Sequence, residues 1–165
     1  MSLYTIGYEG VNLAQMIDIL HARGIQRLVD VREHAFSMKR GFSKTPLKLA
    51  LENGGIAYEH WRHLGAPRPV REAYKTSKNW DEYCQGYNKH LRIQSEALVD
   101  LANLSQNEDV VLLCFEANPL ECHRSLIVRE LYARRLICQA NDLRTTNSEV
   151  DVLDIQTRQQ RAISS

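Results

Sequence analysis

LYTIGYEGVNLAQMIDILHARGIQRLVDV, residues 3–31, is the stretch that decides the fold. It opens with an apolar strand, Leu3-Tyr4-Thr5-Ile6, stopped by Gly7. Leu13, Met16, Ile17 and Leu20 then recur at three- and four-residue steps, the period of a helix with one apolar face. Asn12 suits the N-cap of that helix and Gly24 its C-terminal stop. A second strand follows, Arg27-Leu28-Val29-Asp30-Val31. Strand, helix and strand in so short a span is a βαβ unit, and a crossover helix implies parallel pairing.

Outward from this unit the same alternation continues. A short helix is predicted from Ser43 or Thr45 through Leu47, Leu49, Ala50 and Leu51, with Pro46 tolerated in its first turn and Gly54-Gly55 ending it. Ile56 to His60 reads as the third strand, residues 61–79 as a long basic loop, and Trp80 to Leu104 as two helices. Val110-Val111-Leu112-Leu113-Cys114-Phe115 is apolar throughout, as a strand covered on both faces should be. A loop containing Pro119 leads into a helix through Leu126, Ile127, Leu131 and Tyr132. Val150 to Ile155 is the expected fifth strand, and the last ten residues are expected to fray. The whole predicts one α/β domain over residues 1–165, with three layers around a mostly parallel sheet of four or five strands.

Composition narrows the function. With 21 Lys+Arg against 20 Asp+Glu, the net charge of +1 argues against a generic duplex-DNA binder but leaves room for a local basic patch. No apolar run approaches the length of a bilayer span, and the first residues lack the basic and apolar regions of a secretion signal, so a cytoplasmic protein with no membrane partner is expected. Four cysteines, none in a close pair, do not make a disulfide framework in a chain of this size. Cys114 and Cys138 lie in apolar runs and read as buried and inert. Cys122 differs because His123 and Arg124 follow it.

Parallel sheets bind ligands beyond the carboxyl ends of their strands. After the first strand come Tyr8 and Glu9; at the end of the second, Asp30 and Arg32; at the end of the third, His60, then Arg62 and His63; after the fourth, Cys114, Glu116 and Cys122-His123-Arg124-Ser125. Loops are generally polar, but a charge inside Leu28-Val29-Asp30-Val31 costs several kcal/mol unless it is paired. Asp30 is therefore expected to be buried against an arginine. The run from Cys122 opens the last strong helix, whose free N–H groups and dipole favour an anion. Tyr8, Arg32, Cys122, Arg124 and Ser125 are the candidate anion-binding residues; Glu9, Asp30, Glu116, His60 and His123 are the candidate acids and bases. Arg124 equally suits a structural ion pair, and Cys122 either a lowered-pKa thiol or a small residue in a tight turn. His60, His63 and Cys122-His123 match no short zinc motif, so no metal or other cofactor is expected. Trp61, Trp80, Tyr58, Tyr74, Tyr83 and Tyr87 serve either as core or as a stacking surface.

Taken together, Thr5-Ile6-Gly7-Tyr8-Glu9-Gly10, Leu28-Val29-Asp30-Val31-Arg32, Ser37, Gly41-Phe42-Ser43, Tyr58-Glu59-His60 with Leu64-Gly65, and Leu112-Leu113-Cys114-Phe115-Glu116 with Cys122-His123-Arg124 resemble the DUF488 family of uncharacterised bacterial and archaeal proteins over about residues 3–135. The chain departs from that pattern at Ala66, where Leu-Gly-Gly is usual, and at Phe115, where Ala-Glu is usual. The resemblance implies a compact α/β domain of Rossmann-like layering and no particular reaction. Two readings follow from the residues. The first is an enzyme, with hydrolysis as the candidate reaction, acting on an anionic, nucleotide-like or nucleic-acid-like substrate. The second is a non-catalytic module binding an anionic small molecule or nucleic acid. Oligomeric state is not legible.

Overall fold

The computed structural model describes residues 1–144 and 149–151. In chain order the strands are β1 (Leu3–Gly7), β2 (Arg27–Asp30), β3 (Ala57–His60), β4 (Val110–Cys114), β5 (Ala140–Leu143) and β6 (Glu149–Asp151). The helices are α1 (Leu13–Arg23), α2 (Lys44–Asn53), α3 (Arg68–Ser77), α4 (Trp80–Arg92), α5 (Ser95–Asn107) and α6 (His123–Ala133). The sheet runs β3-β2-β4-β1-β5-β6. Its first five members are parallel, and β6 is antiparallel to β5. The layering is Rossmann-like.

Local chemistry accounts for the βαβ unit. Asn12 and Gln15 form a reciprocal capping box at the start of α1. Gly24 ends the helix at φ 74°, the left-handed region open to glycine. The two faces of the sheet then sort by alternation along each strand. Leu28, Val111 and Leu113 pack with Met16 and Leu20 of α1 and Leu47 and Leu51 of α2. Val29, Val110 and Leu112 pack with Tyr87 and Leu91 of α4, Leu98 and Leu101 of α5, and Leu126 and Leu131 of α6. β4 is buried along its whole length between β2 and β1. Its carboxyl end is therefore a place where residues following β1, β2 and β4 can meet.

Three expectations need correction. Cys138, read as buried and inert, is exposed. Part of the span read as a loop is helix α3, preceded by a short 3-10 turn at Arg62–Leu64. Pro67 stands at its N-cap and Pro69 in its first turn, where proline needs no amide donor. The fifth parallel strand is β5 at Ala140–Leu143, while Glu149–Asp151 forms the antiparallel sixth. Residues 152–155 of the expected strand, and the tail after them, lie outside the described residues. β5 was illegible because Asp142 interrupts its apolar pattern. That carboxylate is buried against Thr5 Oγ1 (2.5 Å) and the Arg124 guanidinium (3.4 Å).

Candidate functional site

The end of β2 is a closed lock. Asp30 is fully buried and accepts from Arg32 Nε (2.8 Å), Arg32 Nη2 (2.6 Å) and Tyr58 hydroxyl (2.7 Å). Arg32 spends its remaining nitrogen on the Phe42 carbonyl (2.8 Å) and the Tyr8 hydroxyl (3.3 Å). The expected buried Asp30–arginine pair is thus present, and Arg32 is the partner. The next two backbone carbonyls are tied as well. Val31 O accepts from His123 Nε2 at 2.6 Å, and Arg32 O from His60 Nε2 at 2.7 Å. Burial raises the Tyr58 hydroxyl pKa, and the neighbouring Asp30 raises it further.

Arg124 is also consumed. Its side chain has no exposure, and it donates to Glu116 O (2.6 Å), Ala117 O (3.3 Å) and Asp142 Oδ1 (3.4 Å). Of the two roles the sequence left open, the contacts match the structural one, with Asp142 as the carboxylate. They fasten the β4–α6 loop to β5. Gly7 completes this fastening: a Cβ there would lie 1.7 Å from Glu116 O, so only glycine lets β1 approach the loop so closely. Ser125 donates its hydroxyl to Cys122 O (2.8 Å) at the start of α6. Glu9 accepts from Ala117 N–H (3.0 Å) and lines a cavity of about 640 Å³ at the ends of β1 and β5. That space is the larger one, but among its lining residues only Glu9 and Arg144 ionise, and no cysteine or histidine reaches it.

The chemistry gathers in a smaller cavity of about 330 Å³ beyond β4, between the ends of β2 and β1. At its foot lie Cys114, Glu116 and His123. Its walls carry Tyr8, Phe36, Tyr74, Trp80, Tyr83 and Phe115, with Trp80 and Tyr83 stacked at 4.7 Å between ring centres. His34, Lys75 and Arg71 also line it; Lys75 is paired with Glu72 at 3.2 Å and Arg71 with Glu33 at 2.7 Å. Residues after β1, β2 and β4 line this space, Arg32 and Glu116 among them; β1 contributes Tyr8 and not Glu9, and Arg124 does not line it.

Cys114 corrects the sequence reading most sharply. It is buried, as expected, yet its sulfur stands 3.1 Å from Glu116 Oε2 and 3.6 Å from His123 Nδ1. The Cys122 sulfur is 3.7 Å from the same nitrogen. Both sulfurs and that nitrogen lie within 4.8 Å of one another. Cys122 and His123 are thus grouped with Cys114, and not with His60 or His63. The signal was present as Cys114-x-Glu116 at a strand end with Cys122-His123 opening the next helix, but the apolar run hid it.

Charge is distributed unevenly over this group. Burial would push the Cys122 thiol up, but the hydrogen bond from Cys114 and the positive Arg124 and His123 hold it well below the ordinary cysteine value. Its hydrogen bond with Cys122 and its burial push the Cys114 thiol well up. Burial would lower His123; the negative charge on Cys122 outweighs that and raises it. Glu116 is pushed up to about 7 by burial and by the charge on Cys122.

The fold and this site define a parallel α/β protein with a thiol–imidazole–carboxylate group at the end of its central strand. The family model described as "Domain of unknown function DUF488" matches residues 12–131, and the chain belongs to that family. No curated protein and no solved structure matches it. Among the described residues no helix is long and apolar enough to cross a membrane.

Proposed function

We propose that the chain is a hydrolase acting on a ring-bearing, nucleotide-like substrate bound in the 330 Å³ cavity beyond β4. One observation carries the reading. Of the three carboxylates nominated from the sequence, Glu116 alone lines this cavity, and its recorded side-chain contact is a thiol and not an arginine. Asp30 is spent on Arg32 and Tyr58, and Glu9 faces elsewhere. A half-buried carboxylate beside a cavity suits proton transfer. In the reaction a water oxygen bonds to the electrophilic centre of the substrate. The bond from that centre to the leaving group breaks, and the water proton passes to Glu116 and from there to the departing group. The aromatic walls supply faces on which a planar ring stacks, and Lys75 is placed to meet an anionic substituent. The alternative of a pure anion-binding module is disfavoured, because Arg32 and Arg124, its intended clamps, are committed to internal acceptors.

The test is a panel of nucleobases, nucleosides and nucleoside monophosphates, read by Trp80 fluorescence and by product release. Binding of a panel member with turnover lost by at least about a hundredfold in Glu116→Gln, at near-unchanged affinity, is expected; general acid–base catalysis contributes that much. Turnover by Glu116→Gln equal to wild type would contradict the role of Glu116, and no binding by any member would contradict the substrate class.

A further inference from the structure

We propose that Cys114, Cys122 and His123 hold a zinc-type divalent cation at the foot of the cavity, with Glu116 beside the ion and outside its ligand set. The inference rests on the reading of this cavity as the functional site, and adds the cofactor that site takes.

The geometry begins with the histidine. His123 Nε2 lies 2.6 Å from Val31 O, and a backbone carbonyl only accepts, so Nε2 carries the proton. In the neutral ring Nδ1 is then left with its lone pair, aimed at the sulfurs. Holding the far nitrogen of a ligating histidine on a carbonyl is the usual way its tautomer and orientation are fixed. Tyr87 packs edge-on against the ring at 5.4 Å between ring centres, which restrains its tilt.

The two sulfurs stand 3.6 and 3.7 Å from that nitrogen. One imidazole lone pair accepts from one thiol, not from two at once. Without an ion, Cys114 is held by Glu116 and the charge on Cys122 is met by His123 and Arg124; a central ion bonds both sulfurs and the nitrogen at once. Zinc bonds of about 2.3 Å to sulfur and 2.0–2.1 Å to nitrogen, set at a tetrahedral angle, put sulfur and nitrogen about 3.6 Å apart. The spacing in the protein agrees. Two thiolates and one imidazole favour zinc over the oxygen-preferring ions, and a bound cation deprotonates a coordinating thiol outright.

Burial and access point the same way. Cys122 is 1% exposed and the other two ligands 5–6%, so the ion is held inside the protein. Cys114, His123 and Glu116 nevertheless line the cavity. A site with three protein ligands and an open side is of the catalytic and not the closed structural type. The open fourth position would admit water, the ion would supply the acidification of that water, and Glu116 stands beside it to take up a proton.

The experiment uses the full chain kept reduced, stripped by chelator and titrated with Co²⁺ and Zn²⁺. One cobalt per chain should bind, with the visible bands of a tetrahedral ion and a near-ultraviolet thiolate-to-cobalt band. Cys114→Ser and Cys122→Ser should each lose about half of that band, since each removes one of two thiolates. Glu116→Gln should keep both stoichiometry and spectrum. In the wild-type chain, which needs no variant to fold, Zn²⁺ should displace the Co²⁺ and abolish the thiolate-to-cobalt band. Absence of the cobalt spectrum, an unchanged thiolate band in Cys114→Ser, or loss of metal in Glu116→Gln overturns the proposal. Metal binding without turnover on any substrate leaves the cation site standing and removes the hydrolase reading; turnover by metal-free protein does the reverse.

Discussion

The ends of β2 and β4 lie side by side in the sheet, and they are built in opposite ways. At β2, Asp30 and Arg32 bring full charges into the core and use them up on each other, on Tyr58 and on the Phe42 carbonyl. At β4, Cys114 brings a group that looks apolar, and its sulfur meets the Glu116 carboxyl and the His123 ring, with no arginine on that carboxyl among the described hydrogen bonds and ion pairs. The difference teaches that the most conspicuous residue in a strand can be framework, while the group proposed to react is one that looks apolar. A buried charge must be fully paired for the fold to survive, so the pattern that catches the eye, Leu-Val-Asp-Val, marks framework. The residues free to do chemistry are those whose partners a ligand can replace.

Arg124 tests that distinction from the framework side. Arg124→Ala leaves Asp142 buried without its cation and releases the Glu116 and Ala117 carbonyls. The expected loss is on the order of 3–5 kcal/mol, the cost of breaking a buried ion pair, read from denaturant unfolding. An unchanged midpoint would mean that Arg124 is available to a ligand, and the two strand ends would no longer contrast.

The amino ends of the same strands supply a smaller comparison. Arg27 bridges Glu59 and Glu108, with Glu108 Oε2 2.7 Å from Arg27 Nε. The hydrogen bond from Arg27 holds the Glu108 carboxyl below its ordinary value. A carboxylate lowered in the folded state adds stability above its unfolded pKa of about 4.3, and that stability is lost as pH falls through the folded value. Solvent screens this pair, so Glu108→Gln should cost only about 0.2–1 kcal/mol at neutral pH. The gap between variant and wild type should close in acid. Melts at pH 7 and pH 3 check it, and a gap that widens in acid would contradict the assignment.

Much of this was legible in the sequence, and the rest was hidden for physical reasons. The capped α1, the βαβ unit and the wholly apolar β4 follow from short-range pattern, and the structure keeps them. The pairing of Asp30 followed from its desolvation cost. α3 was missed because it buries no residue fully and begins among prolines. β5 was missed because its stability comes from Thr5 and Arg124, distant in sequence from Asp142. The site was half legible. Cys122, His123 and Glu116 were nominated, but Cys114 passed for core filling, since only the turn from β4 into α6 brings its sulfur to His123.

The most direct measurement is the unfolding free energy of Asp30→Asn set beside that of Glu116→Gln. Asp30→Asn leaves Arg32, 6% exposed, without its counter-charge and should lose on the order of 3–5 kcal/mol. Glu116→Gln keeps an oxygen to accept from Cys114 and breaks no ion pair among the described residues, so it should stay within about 0.5 kcal/mol of wild type. A large loss in Glu116→Gln with little in Asp30→Asn would place the framework at β4 and the free chemistry at β2, and would contradict the account.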